Sequence, residues 1–317
     1  MAVIRVLQAN PAMDRIEVFA RFDLDAVNRS VEVHVMPGGK GLNVARGIRQ
    51  LGGEVAAYGF AGGFVGAFLR DACRALGIGD RHTSIAGETR ICTILVERET
   101  GRSTVLNEPG PEIAPSEAAA LVAALVADCC RGDLVVLSGS LPRGVPDAFY
   151  AELVGSVQAA GAHAIVDTAG PPLRESMARG PWMVKLNLRE LREALGTELD
   201  EWDTPAIVGV MRAQLDRGSA VVVVTLGAAG LLAATAGEAW RVTVPRIAAL
   251  NAIGSGDLFL SGFTTVLSSG GGLEEGLCLG AACGVANAMS VTPELPASVD
   301  LRELASHVRL ERLEPGL

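Results

Sequence analysis

Hydrophobic and polar positions fall into blocks of two periods along this chain. Short apolar runs at residues 3–7, 54–60, 134–137, 163–166 and 220–224 are bounded by turn residues, as expected of buried strands. Helical spacing at 65–76, up to about Leu51 and around 272–289 predicts helices, with Gly52-Gly53 as a C-cap. From Ser116 onward helix-like and strand-like segments alternate, the sign of a parallel sheet with covering helices. Strand-like segments at 15–19, 31–36, 89–98 and 103–107, the last two joined by the hairpin signal Glu99-Thr100-Gly101-Arg102, predict a small antiparallel sheet drawn from 12–35 and 89–108. The segment after Asn251 reads as a tight turn feeding a buried helix.

Composition narrows this picture. At 317 residues the chain can bury a sizeable core as one large domain or two ordinary ones. Hydrophobic residues make up 49% and mean hydropathy is +0.34, so a membrane span has to be considered. The most apolar stretch, 221–234, is divided by Thr225, Gly227 and Gly230, which suits two buried strands. No secretory pattern opens the chain, and a cytoplasmic protein is expected. A net charge of −9 disfavours nucleic-acid or anionic-membrane partners, so a phosphate ligand would need a local cluster of cations and amides. The six cysteines and four histidines form no zinc pattern and no evident disulfide framework.

The candidate chemistry is concentrated in glycine-rich turns. In Asn251-Ala252-Ile253-Gly254-Ser255-Gly256-Asp257, glycines permit close approach of backbone N–H groups at a helix start, an anion site. Asp257 at its rim is either a helix cap or a general base. A second loop, Pro37-Gly38-Gly39-Lys40-Gly41-Leu42-Asn43, also carries a lysine before a helix, but no G-x-x-x-x-G-K-[ST] or G-x-G-x-x-G pattern occurs anywhere. Asp14 lies just past a strand end, where open α/β sheets bind ligands, and otherwise reads as a turn residue. Asn187 and Glu190 have the spacing of a capping box. Arg90 offers a planar fork for phosphate or is an exposed strand arginine. Ser140 follows a strand end and otherwise caps local backbone.

The N-x-x-G-S-G-D stretch, the G-G-K-G-x-N loop, the N-P-A-x-D start and the K-x-N-x-x-E segment at 185–190 together resemble the ribokinase-like sugar kinases, the phosphofructokinase-B family. The branch most similar is that of 1-phosphofructokinase and tagatose-6-phosphate kinase. This resemblance covers nearly the whole chain and implies a single ribokinase-like domain over 1–317: a three-layer α/β/α fold with a mostly parallel sheet and a small β lid. It implies ATP as phosphoryl donor and Mg²⁺ placed by Glu190 through water. On the sugar side it implies Asp14, Gly38, Gly39, Lys40, Asn43, Arg90 and Ser140. On the nucleotide side it implies Lys185, Asn187, Thr225, Gly227, Gly230 and Asn287, with Gly254, Ser255, Gly256 and Asp257 at the reacting phosphoryl group. Ser255, Leu186, Thr225 and Ala252 depart from the family's usual residues, and Asn251 argues against monovalent-cation activation. A homodimer through the lid is a further implication.

The leading expectation is an ATP-dependent kinase acting on fructose 1-phosphate or tagatose 6-phosphate, with fructose 6-phosphate behind them. A non-catalytic sugar-phosphate or nucleotide sensor on the same fold is the alternative. A hydrolase is disfavoured by the lack of a G-x-S-x-G elbow. As the first acidic residue of a helix, Asp257 is expected to be a weak base, tolerable because phosphoryl transfer depends chiefly on positioning and charge stabilisation.

Overall fold

The computed structural model describes residues 3–314. Its frame is an eleven-stranded sheet whose middle holds the largely apolar, buried runs. Ile4–Gln8 pairs in parallel with Val55–Ala61 on one side and with Leu134–Ser138 on the other. The parallel order continues outward through His163–Asp167, Met183–Asn187 and Val221–Thr225. The strands Leu231–Ala234, Ala239–Thr243 and Arg309–Arg312 then extend that edge antiparallel.

Helices cover both faces, which is why these strands lack a polar side. One face packs under Pro115–Asp128, Phe149–Ala159, Gly170–Ala178, Leu188–Leu195 and Thr204–Asp216. The other packs under Lys40–Gln50, Gly63–Ala75, Ser255–Ser268 and Leu273–Ala288. Tyr58 and Phe60 enter the first core, Trp240 and Phe263 the second, all essentially sealed. The expected helices and strands are present, with bounds that move by one to three residues.

A separate four-stranded sheet runs in the order Glu32–Gly38, Ala12–Phe19, Arg90–Glu97, Ser103–Asn107. Its two outer pairings are antiparallel, as expected. The central pair, Ala12–Phe19 with Arg90–Glu97, runs parallel. Ile16, Val18, Ile94 and Val96 form its own buried cluster, against which Ile253 and Val291 pack.

Because the chain leaves Ile4–Gln8 in both directions across the sheet, a crevice opens at its carboxyl end, the location where open α/β sheets take ligands. The small sheet, the Lys40–Gln50 helix and the Ser255–Ser268 helix all converge there.

Candidate active site

Asp257 sits in the first turn of Ser255–Ser268, and the turn before it is built for that position. Gly254 has φ 87°, in the left-handed region, so a side chain there would be strained. The amides of Ser255 and Asp257 donate back to the carbonyls of Ala252 (3.2 Å) and Gly254 (2.9 Å). The amides of Gly254 and Gly256 have no acceptor among the described residues. A Cβ on Gly256 would lie 2.5 Å from Lys185 Nζ, so the glycine lets that ammonium reach the helix start.

Across from the turn, Asn43 Nδ2 donates to Asp257 Oδ2 at 2.9 Å. The two residues stand 214 positions apart in sequence, on the Lys40–Gln50 and Ser255–Ser268 helices. Lys40 Nζ donates to Asp167 Oδ1 at 2.8 Å and to Glu190 Oε1 at 3.2 Å, and Lys185 Nζ donates to Asp167 Oδ2 at 3.1 Å. Asp167 ends the strand beside Leu134–Ser138 and is fully buried between the two lysines.

These neighbours set the acidities. Burial works to raise the pKa of Asp167, but the charges of Lys185 and Lys40 and their hydrogen bonds outweigh it and hold the carboxyl below its ordinary range. Enclosure opposes the charge on Lys40, yet Asp167, Glu190 and Asp257 overcome it and raise its pKa. Asp257 goes the other way: burial first, then the nearby Asp167 charge, push it up to about 7 against the pull of Lys40 and Lys185. The expectation of a weak base from the helix start is therefore corrected, because burial and a second carboxylate dominate over the helix dipole.

On the sugar side, Asp14 lies on the Ala12–Phe19 strand, buried, with Gly39 N donating to its Oδ2 at 3.4 Å. A Cβ on Gly38 would fall 1.9 Å from Asp14 Cγ, so that carboxylate occupies the space a side chain would take. Burial raises Asp14 to about 6, opposed by the Gly39 amide and by Arg46 and Arg90. Arg90 donates through Nε and Nη2 to the Asn10 carbonyl (3.2 and 3.0 Å) and through Nη1 to the Glu108 carbonyl (3.0 Å). Asn10 Nδ2 in turn donates to Ser140 Oγ at 3.3 Å, so Arg90 and Ser140 meet through Asn10. Arg90 also borders a groove of about 450 Å³, together with Glu108, Gly110 and Arg143.

The residues expected on the nucleotide side lie at neighbouring strand ends, except Asn287, which stands on the helix Leu273–Ala288. Asn187 caps Leu188–Leu195: its Oδ1 accepts from Glu190 N, and Glu190 Oε2 accepts from Asn187 N, both at 2.9 Å. Thr225 ends its strand, and Gly227 and Gly230 flank the turn into Leu231–Ala234, with Leu226 N donating to the Gly230 carbonyl at 2.8 Å. Asn287 is fully buried, donating to the Ile253 carbonyl (3.0 Å) and Ser255 Oγ (3.1 Å) and so bracing the turn before Asp257. Asn251 likewise braces it, donating to the Val291 carbonyl at 2.8 Å while its Oδ1 accepts from Ile253 N at 3.0 Å.

Both oxygens of Glu190 are engaged, and no cluster of three metal-ligating side chains exists among the described residues. This donor set fits a cation held mainly by phosphates and water, the usual habit of Mg²⁺, and not a cage of protein ligands. Sequence reasoning passed over Asp167, Gln8, Asn10, Arg46 and Arg143. Asp167 had a usable signal, an aspartate at the end of a buried strand, Asn10 opens the N-P-A-x-D stretch and Arg46 stands three residues after Asn43; Gln8 and Arg143 are placed by contacts distant in sequence.

Comparison with known families matches residues 8–296 to the pfkB family carbohydrate kinases. The chain belongs to that family. As a pfkB family kinase it is an ATP-dependent sugar kinase, phosphofructokinase-like in structure. It is similar to phosphofructokinase-2 from Escherichia coli, solved in complex with potassium, at 27% identity and a TM-score of 0.89 over 96% of this chain and 99% of that one. A possible 1-phosphofructokinase from Thermotoga maritima superposes with a TM-score of 0.88 at 24% identity over 98% of this chain and 100% of that one. Ribokinase from the same organism, at 20% identity and a TM-score of 0.74 over 96% of this chain and 98% of that one, shows the ribokinase-like fold. No helix among the described residues is long and apolar enough to cross a membrane.

Proposed function

We propose that this pfkB family kinase phosphorylates a hydroxyl of a ketohexose monophosphate, giving the bisphosphate, with fructose 1-phosphate and tagatose 6-phosphate the leading substrates. The observation that supports the reading is a buried carboxylate, Asp257, beside two unpaired helix-start amides and close to the ammonium groups of Lys40 and Lys185. Escherichia coli phosphofructokinase-2 has also been solved with fructose-6-phosphate, which keeps 6-phosphofructokinase activity as the second reading.

In this reading Asp257, aimed by Asn43, accepts the proton of the attacking hydroxyl as its oxygen meets the γ-phosphorus of ATP. The Gly254 and Gly256 amides and Lys185 face the charge on the transferring group, where preorganised donors act without reorganisation. Asp14 accepts hydrogen bonds from sugar hydroxyls. Arg90, Ser140 and Lys40 anchor the phosphate already on the sugar, Arg90 by exchanging its carbonyl partners in part for phosphate oxygens. Thr225, Gly227 and Gly230 lie along the nucleotide, with Asn187 and Asn287 supporting its two ends. Mg²⁺ bound with the nucleotide would meet Glu190 through water and offset phosphate charge. The small sheet acts as a lid that excludes water, and its exposed Val33, Val35 and Leu106 suit self-association.

The test is ADP release with Mg-ATP against fructose 1-phosphate, tagatose 6-phosphate, fructose 6-phosphate and free fructose. We expect turnover of one phosphorylated ketose, reduced roughly 10²- to 10⁴-fold in Asp257→Asn. Preference for free fructose would remove the phosphate-anchoring roles of Arg90 and Ser140. Saturable sugar-phosphate binding without turnover would make the protein a sensor.

A further inference from the structure

Arg46 is a buried cation whose bonding partners are all neutral. It stands on the Lys40–Gln50 helix, three residues after Asn43, and only 3% of its surface is exposed. Its Nη1 donates to the Pro293 carbonyl at 2.6 Å and lies 3.4 Å from Asn43 Oδ1, while Nη2 donates to the Pro37 carbonyl. Among the described residues no carboxylate forms a direct ion pair with it. A guanidinium sealed from water in this way is costly to keep, and burial pulls its pKa down. Simple bracing of Pro37 against Pro293 could be done by a neutral donor, so the charge itself requires a purpose.

The surroundings indicate one. Four titratable groups face the guanidinium from different elements: Asp14 from the small sheet, Glu294 from the segment after Leu273–Ala288, Cys73 from Gly63–Ala75, and Asp257 from Ser255–Ser268. Two of them are the carboxylates of the site. The Asn43 amide stands between the cation and the catalytic carboxylate, its oxygen toward Arg46 and its nitrogen on Asp257. An amide dipole placed between opposite charges has one favoured orientation, and here that orientation delivers the donor to Asp257. Arg46 Nη2 is held on the Pro37 carbonyl, next to the Gly38 whose missing side chain leaves room for the Asp14 carboxyl, so Arg46, with Arg90, is a cation that favours the ionised form of that buried group.

We propose that Arg46 is the positioning residue of the sugar site: it orients the Asn43 amide toward Asp257 and supplies the buried positive charge that Asp14 requires to remain a hydrogen-bond acceptor for sugar hydroxyls. It touches neither sugar nor ATP and acts through those two side chains. The inference rests on the roles given above to Asp14 and Asp257.

The test compares wild type, Arg46→Met and Arg46→Lys, measuring kcat and KM for the sugar phosphate and for ATP across pH 5.5 to 9, with thermal unfolding in parallel. Arg46→Met keeps an unbranched side chain but no charge. We expect its KM for the sugar to rise at least tenfold near pH 6.5 and the acidic limb of kcat/KM to move upward by about one pH unit, with KM for ATP within twofold. Arg46→Lys keeps the charge but not the fork, and should restore most of the sugar KM and the position of that limb even where its unfolding temperature falls. A role limited to bracing would lower the unfolding temperature of both variants while leaving sugar KM and the pH limb unmoved, and would overturn the proposal. If Arg46→Met does not fold, Arg46→Gln, a neutral donor, takes its place beside Arg46→Lys: a raised sugar KM and displaced limb in Arg46→Gln alone support the proposal, and wild-type values in both variants overturn it. Failure of wild type to turn over any ketose phosphate would remove the underlying reading and this inference with it, an outcome distinct from failure of the variants alone.

Discussion

Burial and the Asp167 charge push the Asp257 carboxyl up to about 7, and the direction of its proposed effect on rate follows. A base at Asp257 works only when ionised, so kcat/KM should level off above about 7, fall about tenfold per pH unit below it, and fall more steeply below about 6, where Asp14 also takes a proton. A rate profile on the best ketose phosphate checks this; a flat profile down to pH 5 would mean that Asp257 takes no proton in the rate-limiting step. Asp257 itself was legible in the sequence, because glycines around an aspartate before an apolar helix are a local pattern. Its acidity was not, because the dominant influences are burial and Asp167, ninety residues away in chain order and adjacent only after folding. The same applies to Arg46 and Gln8, whose importance lies in what the fold brings up against them. Gln8 Oε1, for example, accepts from Leu42 N at 2.9 Å, fixing the start of the helix that carries Asn43.

Elements were read well where their signals are local and poorly where pairing decides. The capping box of Asn187 and Glu190 was recovered atom for atom from spacing alone. Each strand of the small sheet was visible from its alternation, but the parallel pairing of Ala12–Phe19 with Arg90–Glu97 could not be, since nothing in either strand encodes the direction of a distant partner. The turn at Gly227–Ala229 gives an element-level prediction. Gly230 has φ 90°, and a Cβ there would lie 2.0 Å from the Val242 carbonyl oxygen of the second strand beyond the turn. Backbone on both sides leaves nothing flexible to move. Gly230→Ala should therefore destabilise the fold by more than about 1 kcal/mol and weaken ATP affinity while sparing the sugar KM, measurable by denaturant unfolding and by nucleotide titration. An equal loss in both substrates would place this turn outside the nucleotide side.

For the molecule as a whole, the sugar-side parts come early and the reacting turn comes late. Asp14, Lys40, Asn43 and Arg90 lie in the first third of the chain, whereas Gly254 to Asp257 and the bracing residue Asn287 lie in the last quarter. The catalytic turn is held by Asn287 and by Asn251, which itself leans on Val291. A ribosome must therefore release residues up to about 291 before the turn is fixed. In synchronised cell-free synthesis, ketose-dependent ADP production should begin only after residues beyond about 291 have emerged, and chains stalled at residue 250 should give none. The hazard for a kinase under construction is idle consumption of ATP, with water as the acceptor. In this polypeptide the residues proposed to hold the acceptor precede the proposed base, so a copy interrupted before residue 254 lacks the carboxylate that could activate water against ATP.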